Sequence, residues 1–157
     1  MRNPTRLLCW ILLCLPLILL IGCPKAAPVT HLSMVINAAA NVNADAGGQA
    51  LSVVVRIYQL KDKGRLESAD YSALLRSDKE TLSDDLLERQ ERVIQPGTQE
   101  MMELQTNPSA AYVGVVALFR SPSGDTWRKI LPIAKGKTQK FTVALREQSV
   151  EVSSAAK

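Results

Sequence analysis

The run Leu20-Ile21-Gly22-Cys23 decides which part of this chain folds as a unit. Arg2 and Arg6 precede fifteen uncharged residues, Leu7 to Ile21, interrupted by Pro16. A helix that spans a bilayer needs about 20 apolar residues, whereas the apolar centre of a signal peptide takes about 7–15. Residues 1–22 therefore read as a signal peptide. Gly22 is small enough for a peptidase, and Cys23 offers a thiol that a diacylglyceryl group can occupy. Two apolar residues, a small one and Cys make a bacterial lipobox. The other reading, a short membrane helix ending in a buried Cys, fits the length and flanks less well.

Cleavage before Cys23 leaves 135 of the 157 residues, enough for one domain with its own core. It removes two of the 19 basic residues and none of the 15 acids, so the mature net charge is +2. That balance gives nucleic-acid binding no support. Cys9 and Cys14 fall in the discarded stretch, and a chain with Cys23 alone forms no internal disulfide. The exported domain must be held by packing, and acylation is the evident use of the remaining thiol. Residues 23–29, with Pro24, Lys25 and Pro28, read as a lipidated tether, and 30–157 as the folded domain.

In that domain Leu32, Met34, Ile36 and Ala38 alternate with Ser33, Val35 and Asn37, a strand over His31 to Ala39. Asn41 to Gln49 follows, rich in Asn, Asp and Gly. It is a loop, long for a hairpin connection, and excess loop length points to function. Leu51 to Leu60 is the central strand: Val53, Val54, Val55 and Ile57 are stiff at χ1, and the near-continuous apolar run implies cover on both faces. Lys61-Asp62-Lys63-Gly64 breaks it. The period then changes over about 68–88, with Ser68 as N-cap, a break at Ser77-Asp78 and a second helical piece from Lys79 to Leu87. Strands resume at Arg89–Ile94, Glu100–Thr106, Ala110–Arg120, Trp127–Ile133, Gln139–Leu145 and Ser149–Val152, with Gln95-Pro96-Gly97 as a tight corner. Short, regularly spaced strands with one helical excursion predict an all-β fold, an antiparallel β-sandwich.

Converging catalytic groups are scarce. His31 is the only His, so no zinc site can be assembled from imidazole and free thiol. Asp84 and Asp85 point about 100° apart on a helix and read as a solvated face. Glu100 and Glu103 fall on opposite strand faces. No nucleophile elbow, zinc-protease helix or phosphate-cradling loop occurs. The chain reads as a non-enzyme with no metal and no cofactor beyond the covalent lipid on Cys23. Trp127 reads as core, with a rim anchor as the second reading. Lys135, Lys137 and Lys140 read as a solvated basic turn, with membrane phosphates as a secondary contact.

Particular residues carry a resemblance across the mature chain: Val54-Val55-Arg56-Ile57-Tyr58-Gln59-Leu60, Ala69-Asp70-Tyr71 with Leu74, and Leu82-Ser83-Asp84-Asp85-Leu86-Leu87. Glu91, Pro96-Gly97, Ala111 through Arg120 and Trp127-Arg128 extend it. In these residues the chain resembles the outer-membrane lipoprotein family of the type VI secretion system, the TssJ (VasD, SciN) family. The resemblance implies a transthyretin-like sandwich of two sheets with a helical insertion, anchored in the outer membrane and facing the periplasm. It implies that the loop after the first strand binds the periplasmic C-terminal region of the inner-membrane protein TssM, with TssL joined indirectly through the membrane complex. Here that loop is Asn41, Val42, Asn43, Ala44, Asp45, Ala46, Gly47, Gly48 and Gln49. Two departures stand out: the family often has Phe where Leu66 stands and Gly where Ser83 stands. Pro24 rather than Asp follows the acylated Cys, which favours the outer membrane. The alternative is a periplasm-facing lipoprotein that binds a small ligand or glycan, against which the low aromatic content argues. A transthyretin-like hydrolase would need several His and a Tyr-Arg-Gly-Ser end, and this chain ends Val152-Ser153-Ser154-Ala155-Ala156-Lys157.

Overall fold

In the computed structural model residues 30–154 are described. The expected signal peptide, the expected tether with Cys23 and residues 155–157 lie outside them. Eight strands and two helices occur in the order β1 (His31–Ala38), β2 (Val53–Leu60), α1 (Gly64–Ser68), α2 (Tyr71–Leu82), β3 (Leu86–Ile94), β4 (Gln99–Gln105), β5 (Tyr112–Leu118), β6 (Arg128–Pro132), β7 (Thr138–Leu145) and β8 (Val150–Ser154), with a 3-10 turn at Ser83–Asp85. They form two four-stranded sheets, β4-β1-β7-β8 and β3-β2-β5-β6, packed as a sandwich.

The sequence pattern explains the packing. Leu32, Met34 and Ile36 of β1 and Val53, Val55 and Ile57 of β2 are buried in one core with Val113, Val115, Val143 and Leu145. Each such side chain contributes about 1.5–3 kcal/mol on leaving water. One pairing departs from the expected antiparallel sandwich: β1 and β7 run parallel, with His31 beside Thr138 and Ala38 beside Leu145. The connections after β1 and before β4 both switch sheets, so β1 finds its second neighbour late in the chain.

β2 is covered on both faces, as its apolar run requires. Its outward residues Tyr58 and Leu60 are buried because the helices lie over them. The approach is close at Gly114 of β5, where a Cβ would stand 2.4 Å from Leu66 Cδ2. Arg128 secures the end of α1, donating to the carbonyls of Leu66 (3.0 Å) and Ala69 (2.5 Å). Its guanidinium lies 4.5 Å above the ring of Trp127, which is buried as expected for core packing.

The helical insertion starts earlier than the expected 68–88. Ser68 is not an N-cap: its hydroxyl donates to Gly64 O at 2.8 Å and closes α1, while Asp70 precedes α2. Ser77 breaks α2 with φ −149° and ψ 58°, at the predicted Ser77-Asp78 punctuation. The second helical piece stops at Leu82, and Leu86 and Leu87 belong to β3.

The kink delivers Asp78 onto the outward side of β2. Asp78 is buried and accepts from Tyr58 Oη at 2.9 Å and from Arg89 Nη1 at 3.0 Å, with Arg56 Nη1 at 3.4 Å. Arg56 also donates to Leu74 O at 2.8 Å and to Glu91 at 2.9 Å. One carboxylate thus ties the helical layer to two strands.

Ser83 ends α2 at φ 46° and ψ −129°, in the left-handed half of the map. A side chain there costs about 1–3 kcal/mol of backbone strain, and glycine carries none. Ser83→Gly should raise the unfolding free energy by about 1 kcal/mol, read as a later urea midpoint with an unchanged slope. An earlier midpoint would show that the Ser83 side chain holds the turn.

Candidate functional site: the end of the sandwich around residues 39–52

Asn41 to Gln49 joins strands of different sheets. Its length is therefore not surplus to a hairpin, because it must cross a sandwich about 10 Å thick. The correction matters for any variant, since a two-residue turn cannot make this crossing.

Two of the nine predicted contact residues face inward. Val42 is wholly buried in the core. Asn43 is buried at φ 54°, a conformation Asn tolerates better than most residues. Its backbone N–H donates to Glu147 O at 2.8 Å, its Nδ2 donates to Ser52 O at 2.7 Å, and its Oδ1 accepts from Arg120 N at 2.7 Å. Asn43 therefore fastens the loop to the β5–β6 and β7–β8 connections. It acts as a pin, with its side-chain nitrogen and oxygen both engaged inside the fold.

The tip is a small closed turn. Asp45 Oδ1 accepts from Gly47 N and Gln49 N, both at 2.9 Å, and Asp45 N donates to Gln49 O at 2.9 Å. Gly48 sits at φ 80°. Ala44 and Asp45 are half-buried, so Asn41, Ala46, Gly47, Gly48 and Gln49 are what the loop offers to solvent. Asn41 Nδ2 donates to Glu147 Oε2 at 3.2 Å.

Neighbouring connections complete the surface. Ala39 O accepts from Gly97 N at 3.2 Å, and Ser52 Oγ donates to Gln95 Oε1 at 2.8 Å, so the Pro-Gly corner abuts the loop. Arg120 and Glu147 are exposed beside it. Sequence reasoning missed these two, because only the cross-sheet topology brings positions 41, 120 and 147 together. The Asn-Val-Asn pattern around Val42 held the one local signal for the pin.

This end presents hydrogen-bonding groups and exposed backbone on a fixed frame, which lowers the ordering cost of binding a protein surface. Among the described residues no three His, Cys, Asp or Glu side chains are grouped to hold a metal ion. No helix among them is long and apolar enough to cross a membrane. His31 is exposed at the start of β1, and Asp85 pairs with Arg65 at 3.2 Å.

Comparison with known proteins gives this geometry a context. Residues 30–148 match the model of a family described as type VI secretion lipoprotein, VasD, EvfM, TssJ. The crystal structure of the type VI secretion lipoprotein TssJ1 from Pseudomonas aeruginosa is 30% identical with a TM-score of 0.78, over 83% of this chain and 99% of that one. Lip of Serratia marcescens, described as a membrane-bound component of the type VI secretion system, shares the fold at 23% identity and a TM-score of 0.73, over 80% of this chain and 98% of that one. A chain in a structure described as the TssM C-terminal domain from EAEC is 30% identical with a TM-score of 0.68, over 78% of this chain and 97% of that one. No curated protein sequence matches the chain.

Proposed function

The chain belongs to the type VI secretion lipoprotein family, and on that footing we propose that it anchors the secretion machine's trans-envelope complex to the outer membrane by binding the periplasmic C-terminal region of TssM. Cys23 carries the lipid, the sandwich faces the periplasm, and TssL is reached indirectly through TssM. The observation that carries the TssM assignment is the 30% identical chain found in a structure described as that of the TssM C-terminal domain. The binding surface is the end of the sandwich around Asn41, Ala46, Gly47, Gly48 and Gln49. Val42, Asn43 and Asp45 hold that surface in shape. The role requires no catalytic step, only a lipid at one end and a protein contact at the other.

Capture from cells tests the reading. A tagged mature chain, mixed with detergent-solubilised envelope of the same bacterium, should enrich TssM strongly, with TssL appearing only when TssM is present. TssL enriched from a strain lacking TssM, or TssM absent from the captured set, would overturn it.

A further inference from the structure

The two ends of the sandwich carry different chemistry. Thr30 is the first described residue, and its carbonyl accepts from Thr106 N at 2.9 Å and from Thr106 Oγ1 at 3.2 Å. Its own Oγ1 accepts from Gly136 N at 2.7 Å. Thr30 therefore lies against the turn between β6 and β7. That turn is itself fixed, with Ala134 N donating to Gln139 Oε1 at 2.7 Å and Gly136 at φ 72°.

Lys135 and Lys137 project from this turn, and Lys140 follows on β7; all three are exposed. None of the three is ion-paired among the described residues. Of the acids at the same end, exposed Glu103 lies on β4 in the register row of Lys140, with Ser33 of β1 between them, and the others are further away. Asp85 pairs with Arg65 and Asp62 accepts from Gly64 N at 2.7 Å. Asp84 precedes β3, at the opposite edge of its sheet from β6. The loop at residues 39–52 lies at the far end of β1, whose eight residues span about 26 Å. Cys23 is seven residues before Thr30, a stretch that reaches at most about 25 Å.

We propose that the Lys135–Lys137 turn, with Lys140, is a seat on an anionic phospholipid surface that sets the orientation of the domain on its membrane. It rests on the reading that Cys23 carries the lipid. An acyl anchor alone fixes one point of a domain and does not set its orientation. Lysines near an anionic bilayer gain about 1 kcal/mol each, so two or three bias the domain toward one pose. That pose turns the far end, with Asn41 and Gln49, away from the lipid.

The test couples Cys23 of the mature chain, which contains the whole described sandwich, to a maleimide phospholipid in vesicles. Coupling in the tube makes the result independent of whether cells acylate Cys23. That question is answered separately by the mass of the N-terminal peptide of protein taken from membranes. The readout is acetylation of each lysine by mass spectrometry, with Lys79 and Lys129 as references. In phosphatidylcholine vesicles holding about 30% phosphatidylglycerol, Lys135 and Lys137 should react at least about threefold more slowly than in pure phosphatidylcholine. The protection should vanish near about 0.5 M salt. A double variant, Lys135→Gln with Lys137→Gln, should remove the protection of Lys140 while leaving thermal stability unchanged. Equal reactivity in both vesicles would overturn the proposal. Equal protection by inorganic phosphate without vesicles would also overturn it, by assigning the turn to a free anion.

Discussion

Asp78→Ala is expected to lower the unfolding free energy by about 3 kcal/mol, a large share of the 5–15 kcal/mol typical of a domain. The carboxylate is where Tyr58, Arg56 and Arg89 meet. The side chains of Arg56 and Asp78 are only 13% and 7% exposed, so water cannot replace the lost partner. The variant leaves the Tyr58 hydroxyl without its acceptor, beside an Arg56 guanidinium that keeps Glu91 and the Leu74 carbonyl. It also frees the kinked helix from β2. Urea unfolding checks the size of the effect, and a change under about 1 kcal/mol would show that the cluster is solvated and weak.

The same cluster sets an acid dependence. Burial pushes the Asp78 carboxyl up, but hydrogen bonds from Arg89 and Tyr58 and the charges of Arg56 and Arg89 outweigh it and hold the group below its ordinary value. Burial and the Asp78 bond push the Tyr58 hydroxyl well up, so it stays a donor at any ordinary pH. A lowered carboxyl contributes stability that is fully present above the unfolded value, near about 4, and is lost as pH falls through the folded value. The stability difference between wild type and Asp78→Asn should therefore be constant from neutral pH to about 5 and shrink below about 4.

Cys23→Ser should release the protein from membranes or leave it as an uncleaved precursor. Lipid attachment needs the thiol, and no other Cys survives cleavage before position 23. One acyl chain binds a bilayer weakly, while two or more hold stably, so loss of the whole modified group moves the protein from the pellet to the soluble fraction. Labelled palmitate checks this. Label on the Cys23→Ser protein would place the lipid elsewhere, and a wild-type band with the inner membrane on a sucrose gradient would contradict the outer-membrane assignment.

Much of the fold was legible because period-two burial survives in local sequence. Leu32, Met34 and Ile36 announce β1, and Val53 to Leu60 announces a strand covered twice. Topology was less legible. Nothing local tells β1 that its second neighbour is β7, or that the Asn41–Gln49 stretch changes sheets, because both follow from how the two layers close. Ser68 looked like an N-cap because Ser favours that position, yet a separate short helix already starts at Gly64, whose N–H donates to Asp62 Oδ1, and Ser68 is its last residue. At the candidate site the loop was visible by its Asn and Gly content. The inward turn of Val42 and Asn43 was not, since it depends on Ser52, Arg120 and Glu147.

The central claim is that the exposed face of this loop binds TssM. The most direct test is calorimetric titration of the TssM periplasmic C-terminal region into the mature chain and into an Asn41→Ala, Ala46→Arg, Gln49→Ala variant. These changes spare the pin at Asn43 and the Asp45 turn, so the variant should melt with the wild type. The account predicts saturable binding by the wild type and at least about tenfold weaker binding by the variant, about 1.4 kcal/mol. No heat from the wild type, or equal affinity in a variant of unchanged stability, would contradict it.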